Sequence, residues 1–222
     1  MPEISVQVYF ARYGSLLSER LFSEYLALIP ARICSSILRY KRFEDRQATL
    51  FGKLLLLRAL QNNFHDNGVD KFHSLQVSQY GKPFIEGGPE FNISHSENIV
   101  VLAFAGNQPV GIDIEKIRSI DMNDFSKELP ETAALYEHYD TDRANQLFFD
   151  CWTKKEAVLK ARGKGLLAPL QQVALNDDSA LFENKIWFIK KLLIEEGYCC
   201  HVATHMPLEQ FTVDYVNLIA GF

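Results

Sequence analysis

The chain has 222 residues and a formal charge of −5 at pH 7. It can form one large domain or two small ones. It lacks the excess of basic over acidic residues that is typical of general nucleic-acid binding. No apolar stretch approaches the roughly 18–20 residues of a membrane span, and no signal peptide is recognisable after Met1. The four cysteines form no CxxC pair, so we expect a cytoplasmic protein with reduced thiols and without a nucleic-acid or membrane partner.

The first third of the chain predicts a strand followed by helices. Ser5 to Phe10 alternates weakly and predicts the strand. Ser18 is a candidate N-cap for a helix that ends before Pro30. Ala31 to Arg42 predicts a second helix with a basic side, and Glu44 to Asn62 a third with a stripe of leucines. Charged residues on such helices usually form only the solvated face.

The next stretch carries two polar segments. Gly81-Lys82-Pro83 favours turned backbone that directs the lysine outward. Phe91 to Ser96 predicts an extended segment with polar residues at its end. The run Ile99 to Ala105 beside it predicts a strand that is buried on both faces. A polar strand end beside a buried strand favours the binding of a phosphate or another polar group. A histidine such as His95, taken alone, is more often a hydrogen-bonded structural residue.

The segment Gly111 to Glu115 predicts a short strand that carries two carboxylates. Because alternate side chains of a strand share a face, Asp113 and Glu115 point the same way, beside the bare backbone of Gly111. Their backbone positions are about 6–7 Å apart, near enough to converge on one hard cation. The alternative interpretation is an edge strand with a solvated acidic face.

Gln146 to Arg162 predicts an amphipathic helix, which Gly163 ends as a C-cap. An acidic, irregular connector precedes it. Glu156 and Lys160 are one turn apart on the helix, where they can supply a third carboxylate and a phosphate partner. The alternative is an exposed Glu–Lys pair that contributes only about 0.3–0.5 kcal/mol to stability.

Together these motifs resemble one family, the 4′-phosphopantetheinyl transferases of the surfactin-synthetase type. The family pattern is Phe-Asn-x-Ser-His-Ser, then Gly-x-Asp-x-Glu, then Trp-(Ser/Thr)-x-Lys-Glu with a lysine four residues on. Gly-Lys-Pro precedes these blocks, and a Gly-Lys-Gly loop follows them. The corresponding segments of this chain, which lie between about Tyr40 and Pro169, are Gly81–Pro83, Phe91–Ser96, Gly111–Glu115, Trp152–Glu156 with Lys160, and Gly163–Gly165.

The resemblance implies an α+β fold of two similar α/β halves in a pseudo-twofold arrangement, the 4′-phosphopantetheinyl transferase fold. We place the division at the loop that begins with Gly106, giving halves of residues 1–106 and 107–222. The implied reaction moves 4′-phosphopantetheine from coenzyme A to a serine of an apo-acyl or peptidyl carrier protein, with Mg²⁺, and releases adenosine 3′,5′-bisphosphate. The second half would hold the metal and dock the carrier, near Trp152 and the Lys164 loop. We expect a monomer.

The resemblance also implies a metal site. Asp113, Glu115 and Glu156 would be its protein ligands, because Mg²⁺ bound by a few carboxylates offsets the charge that develops on the phosphates. Three carboxylates without a cation would repel one another. The base that takes the serine proton would be Glu156 or a metal-bound water, and the sequence leaves both open.

Coenzyme A would be held at two places. Four residues would contact the pyrophosphate: Lys82, Ser94, His95 and Lys160. The three basic ones would do so through charge-assisted hydrogen bonds. We also expect His95 and Lys160 to be catalytic. At the distal end, Thr49 would hold the 3′-phosphate with a basic residue before Tyr40, for which Arg32 is the candidate.

Two rival functions remain open from the sequence. One is a metal-dependent hydrolase or transferase acting on another nucleotide pyrophosphate, which Asp113 and Glu156 would serve equally well. The other is a non-catalytic carrier-binding module, for which a complete set of carboxylates and basic residues would have no use.

Overall fold

A computed structural model describes residues 5–163, 169–208 and 210–220 of the chain. The fold is mixed α/β, with a four-stranded, a five-stranded and a two-stranded sheet. The helices are α1 (Glu19–Leu26), α2 (Ala31–Leu38), α3 (Phe43–Phe64), α4 (Gly68–His73), α5 (Leu135–His138) and α6 (Thr141–Arg162). The strands are β1 (Ser5–Arg12), β2 (Gln76–Val77), β3 (Pro83–Phe84), β4 (Glu90–Ser96), β5 (Ile99–Ala105), β6 (Val110–Lys116), β7 (Ala174–Leu175), β8 (Ser179–Phe182), β9 (Lys185–Lys191), β10 (Tyr198–Thr204) and β11 (Gln210–Tyr215).

The first half is built on the sheet β11-β1-β5-β4. β5 pairs antiparallel with both β1 and β4 and is buried along its whole length, as its continuous apolar run predicts. α3 packs against this sheet with its leucine stripe, and Leu50, Leu54 and Leu60 are fully buried. The last strand, β11, returns to pair parallel with β1.

The second half is built on the antiparallel sheet β6-β10-β9-β8-β7, with β6 at its edge. α6 packs across β6 and β10. A separate apolar cluster joins the two sheets, with contributions from β1, β5, β6 and β10 that include Val8, Val101, Ile112 and Val202. The two α/β halves expected from the sequence are therefore present and share a core. The boundary at residue 106 stays a prediction, and β11 belongs by pairing to the first sheet.

Local signals in the sequence explain where α1 begins and where α6 begins and ends. Ser18 accepts a hydrogen bond from the Leu21 backbone and caps α1, as predicted. The Asp140 side chain caps α6 by accepting from the Arg143 backbone. Gly163 ends α6 with φ of +77°, a left-handed conformation that glycine adopts without a steric penalty.

One expectation needs correction in detail, because α2 ends at Leu38 rather than Arg42. Residues His65–Asn67 form a short 3₁₀ helix that leads into α4. The loop from Gly106 to Pro109 connects β5 and β6, which lie in different sheets. Over the described ranges, no helix is long and apolar enough to cross a membrane.

Candidate active site

The first feature of the site is a seam between β4 and β6, the facing edges of the two sheets. Asn92 accepts a hydrogen bond from the Ile112 backbone at 2.9 Å, so an amide side chain satisfies a donor on the open edge of β6. Ser94 donates to Asp113 at 3.0 Å, and Ser96 donates to Glu115 at 2.8 Å. The polar residues of the β4 motif alternate along the strand, so they reach β6 from one face.

Gly111 brings α6 unusually close to β6. A Cβ atom at this position would lie 2.1 Å from the carbonyl oxygen of Ala157 and 2.3 Å from the backbone nitrogen of Ala161. No real Cβ contact is that short, so only glycine permits this approach. The close packing places Glu156 and Lys160 of α6 beside Asp113 on the strand.

The three predicted metal ligands lie in one largely buried cluster. Asp113 is 3% exposed, Glu156 is 5% exposed and Glu115 is half-buried. Burial first, and then the neighbouring charge of Asp113, raise the pKa of Glu156 to about 7. The same two causes raise the pKa of Glu115. The carboxylates therefore repel one another in the protein alone, as the sequence predicts.

Lys160 is the cation that balances part of this charge. Its ammonium group donates to Asp113 Oδ1 at 2.5 Å and to Ser94 Oγ at 3.0 Å. In the part of the chain that the structure describes, it forms no ion pair with Glu156. The exposed Glu–Lys helix pair considered from the sequence is therefore absent, and Lys160 links α6 to β6 and β4 instead.

The donor set fits a divalent cation. Asp113 Oδ2 is buried without a hydrogen-bond partner, although a carboxylate oxygen in such a place normally has one. The three carboxylates are hard oxygen donors of the kind that Mg²⁺ prefers. Over residues 5–163, 169–208 and 210–220, however, no group of three or more His, Cys, Asp or Glu side chains is already arranged to hold a metal ion.

A cleft of about 850 Å³ opens between the two halves at this cluster. Asp113, Glu115, Glu156 and Lys160 line it from the second half. Side chains of α3, β4 and the Gly81–Pro83 turn line it from the first half. The predicted residues that face it from that side are Thr49, Lys82 and His95.

Lys82 reaches across this cleft. A Cβ built on Gly163 would lie 3.6 Å from Lys82 Cδ, so the lysine stem extends to the C-terminal end of α6. Its ammonium group is 3.4 Å from Glu90 Oε2. The Lys82 side chain is 16% exposed, which makes it a cleft residue rather than a surface lysine.

His95 faces the same cleft. Its imidazole remains accessible from the cleft, yet the surrounding protein removes much of its water and lowers its pKa. Lys160 lowers the pKa further, while Asp45 and Asp113 act in the opposite direction. The imidazole is therefore mostly neutral near pH 7 and can accept a proton when an anion approaches.

The two residues expected at the distal phosphate are separated. Thr49 lines the cleft, with its hydroxyl donating to the Asp45 carbonyl at 2.7 Å. Arg32 is not among the cleft residues, and its exposed guanidinium donates to the carbonyl of His73. The structure brings together Thr49, Lys82, Ser94, His95, Asp113, Glu115, Glu156 and Lys160, but not Arg32.

Lys53 is a cleft residue that the sequence motifs did not indicate. This residue lies one helical turn after Thr49 on α3 and lines the cleft with it. The i, i+4 spacing from Thr49 was a signal that could have found it. The surrounding leucines hid this signal, because they make the helix look like a purely structural element.

The expected carrier-docking region is only partly described. Trp152 lines the cleft and packs edge-on against Phe125, at 5.5 Å between ring centroids. The predicted Lys164 loop and its Gly165 lie outside the described residues.

Two family models match the chain. Residues 109–211 match the family model described as the 4′-phosphopantetheinyl transferase superfamily. Residues 17–107 match the model described as 4′-phosphopantetheinyl transferase, N-terminal.

Curated relatives cover most of the chain. It is 31% identical over 219 residues to the 4′-phosphopantetheinyl transferase Sfp of Bacillus subtilis (strain 168), covering 91% of this chain and 95% of that protein. It is 30% identical to the 4′-phosphopantetheinyl transferase ffp of Bacillus subtilis, covering 86% and 88%. It is 29% identical to the 4′-phosphopantetheinyl transferase gsp of Aneurinibacillus migulanus, covering 74% and 69%.

Proposed function

Since the chain belongs to the 4′-phosphopantetheinyl transferase superfamily and is an enzyme of the surfactin-synthetase type, we propose that it transfers 4′-phosphopantetheine from coenzyme A to a serine of an apo-acyl or peptidyl carrier protein. The serine oxygen attacks the phosphorus that carries the pantetheine arm, and the bond from that phosphorus to the bridging oxygen of the pyrophosphate breaks. The leaving group is adenosine 3′,5′-bisphosphate, and the serine proton must be taken up by a base.

Asp113, Glu115 and Glu156 are the proposed ligands of one Mg²⁺. The supporting observation is the buried, unpartnered Oδ2 of Asp113 beside two further carboxylates. When bound, the ion would offset the negative charge on the pyrophosphate and on the leaving phosphate.

The basic residues bind and orient the pyrophosphate. Lys82 approaches from the first half and Lys160 from the second, and both line the cleft with His95. Charge-assisted hydrogen bonds from these groups would fix the pyrophosphate for in-line attack. Ser94 holds Lys160 through its hydroxyl, so it acts on the substrate through that lysine.

Glu156 is a candidate for the base that takes the serine proton. Burial and the charge of Asp113 raise its pKa to about 7 in the protein alone, and a bound cation would lower that pKa. A metal-bound water would be the alternative base, and the two differ in which atom takes up the proton.

The observation that carries the proposal is the convergence of Asp113, Glu115, Glu156 and Lys160 on one cleft between the halves. A molecule as long as coenzyme A can lie along such a cleft with its pyrophosphate at the acidic cluster. We further propose that the carrier docks chiefly on the second half, near Trp152, and that the enzyme acts as a monomer divided near residue 106.

A transfer assay tests this proposal. The protein is incubated with coenzyme A, Mg²⁺ and a panel of apo-carrier proteins from fatty-acid, polyketide and nonribosomal peptide systems, and intact masses are measured. A phosphopantetheine mass increase on at least one carrier, lost when its acceptor serine is replaced by alanine, is the expected result. No modification of any carrier, with hydrolysis of another nucleotide pyrophosphate instead, would support the rival hydrolase.

A further inference from the structure

His201 is a buried polar residue that the site described so far does not use. It lies on β10 with no exposed surface. The pairing of β10 with β6 places it directly opposite Asp113. Directly opposed residues of an antiparallel pair point to the same face of the sheet, and on that face Lys160 of α6 binds Asp113. His201 therefore faces α6, beside the acidic cluster.

Thr153 of α6 contacts this histidine. Its hydroxyl oxygen lies 2.8 Å from His201 Nδ1 and 2.7 Å from the carbonyl oxygen of Phe149. A hydroxyl group has one hydrogen to donate, and a carbonyl oxygen can only accept. The arrangement that uses both contacts therefore has the threonine donating to Phe149 and the imidazole donating its Nδ1–H to the threonine. Burial lowers the pKa of His201 to about 4, so the imidazole is neutral near pH 7 and its one proton lies on Nδ1.

The other imidazole nitrogen makes a histidine costly at this position. Among the described residues, His201 Nε2 is buried without a hydrogen-bond partner. Asp150 Oδ1 is 3.6 Å away, too far for a hydrogen bond, and Asp150 is already paired with Lys154 and Lys191. An apolar side chain of similar volume would leave no such atom unpaired. Stability alone therefore favours an apolar residue here, and what the histidine adds is the directional hydrogen bond to Thr153.

This bond constrains the orientation of α6. Thr153, Glu156 and Lys160 are spaced i, i+3 and i+7, so they lie on one face of the helix. The close contact at Gly111 sets the distance between the helix and β6. Apolar packing has no preferred direction, whereas a hydrogen bond has one. The bond between Thr153 and His201 therefore opposes rotation and sliding of α6, and with them any change in the direction of Glu156 and Lys160.

We propose that His201 and Thr153 are positioning residues, which fix α6 on β10 so that Glu156 points at the Mg²⁺ site and Lys160 at the pyrophosphate. Neither is among the described residues that line the cleft, so both act through the helix. This inference rests on the proposed function, because it assumes Mg²⁺ and coenzyme A at the acidic cluster.

The test removes the hydrogen bond with and without loss of packing. Thr153→Val keeps the side-chain shape and removes the hydroxyl, whereas Thr153→Ser keeps the hydroxyl. His201→Phe and the double variant Thr153→Val/His201→Phe replace the bond with apolar packing. Thr204→Val is the control, since it removes another buried threonine hydroxyl of β10, one that donates to the Met206 carbonyl at 2.7 Å. For each protein we would measure the melting temperature, kcat for carrier modification, and Mg²⁺ affinity by calorimetry in the presence of saturating coenzyme A.

Thr153→Val should lower kcat about ten- to hundredfold, because a displacement of about 1 Å can cost that much. It should lower Mg²⁺ affinity about tenfold, as for other residues that orient metal ligands. Thr153→Ser should keep most of both. The double variant should melt close to the wild type, because it leaves no buried polar group unpaired, but its kcat and Mg²⁺ affinity should stay low, as they should in His201→Phe. Thr204→Val should leave kcat and Mg²⁺ affinity unchanged.

Wild-type kcat and Mg²⁺ affinity in Thr153→Val would overturn the proposal. A double variant that regains both with its melting temperature would overturn it as well, since packing alone would then position α6. An equal loss in Thr204→Val would do the same, because the effect would not be specific to the bond with His201. A wild type that binds Mg²⁺ but modifies no carrier overturns only the proposed transfer, and the Mg²⁺ affinities still decide the role of His201. A wild type that does neither overturns both.

Discussion

The two halves pack a long helix on a sheet in different ways, although each helix has 22 residues. α3 approaches its sheet at Gly52, where an added Cβ would meet the Cγ2 methyl group of Ile93 at 2.8 Å. α6 approaches its sheet over Gly111, where an added Cβ would meet helix backbone at 2.1 Å. A side chain can rotate away, whereas helix backbone cannot move without shifting the whole element. The distance between helix and sheet is therefore more tightly constrained in the second half than in the first.

The buried faces of the two helices differ as well. α3 buries mainly leucines, and it contributes only a few side chains to the cleft. α6 buries Thr153, Lys155 and Glu156 among its apolar residues. Lys155 pairs with Glu131, and Thr153 shares a 2.8 Å hydrogen bond with the fully buried His201. This difference indicates that α6 holds the chemistry in a fixed position, while α3 supports the cleft.

The largest effect is expected when the tighter packing, that of α6 on β6 at Gly111, is disrupted. Gly111→Ala should lower the free energy of unfolding by about 3 kcal/mol or more, because overpacking against backbone exceeds the usual 1–3 kcal/mol for cores. At roughly 2–4 °C per kcal/mol, the melting temperature should fall by about 6–12 °C, with transfer activity falling as well.

Two alanine variants serve as controls for that measurement. Gly52→Ala should change stability by about 1 kcal/mol or less, since a better helix propensity offsets the displacement of Ile93. Gly106→Ala should be neutral, because nothing lies within 4 Å of its added Cβ. Equal melting temperatures for Gly111→Ala and Gly106→Ala would show that Gly111 does not set the spacing of α6 and β6.

The next effect separates function from stability within α6. Glu156→Gln should reduce turnover by about 10²–10³-fold, comparable to losing one preorganised group at a site of developing charge. In metal-free buffer at pH 8 the variant should melt at or above the wild-type temperature, because it removes a carboxylate that Asp113 and Glu115 repel. A large fall in melting temperature with unchanged turnover would assign Glu156 a structural role instead.

Much of the site could be predicted because its motifs are local. The alternation in Gly111 to Glu115 places Asp113 beside the glycine on one face, and the structure has both directed at α6. The cap at Gly163 and the leucine stripe of α3 also follow from spacing alone. In such segments the nearest neighbours along the chain determine the conformation.

Long-range features could not be predicted in this way. The pairing of β11 with β1 joins the two ends of the chain, and the short strand carries no signal of its partner. The sequence also left open a solvated acidic face for Asp113, whereas the residue is buried beside Lys160 and Ser94. His201 lies on β10 with no exposed surface, which its local sequence does not indicate. Burial depends on which elements pack together, which a local pattern does not encode.

The central claim is that the carboxylates at the β4–β6 seam hold the Mg²⁺ used in transfer. The most direct test is a calorimetric titration of Mg²⁺ into the wild type and into Asp113→Asn, each saturated with coenzyme A. Asparagine keeps the shape and removes the charge. The account predicts one Mg²⁺ per wild-type chain and at least a tenfold loss of affinity in the variant, in the range of about 10–100-fold seen for disturbed metal sites. Equal Mg²⁺ affinity in the two proteins would contradict it.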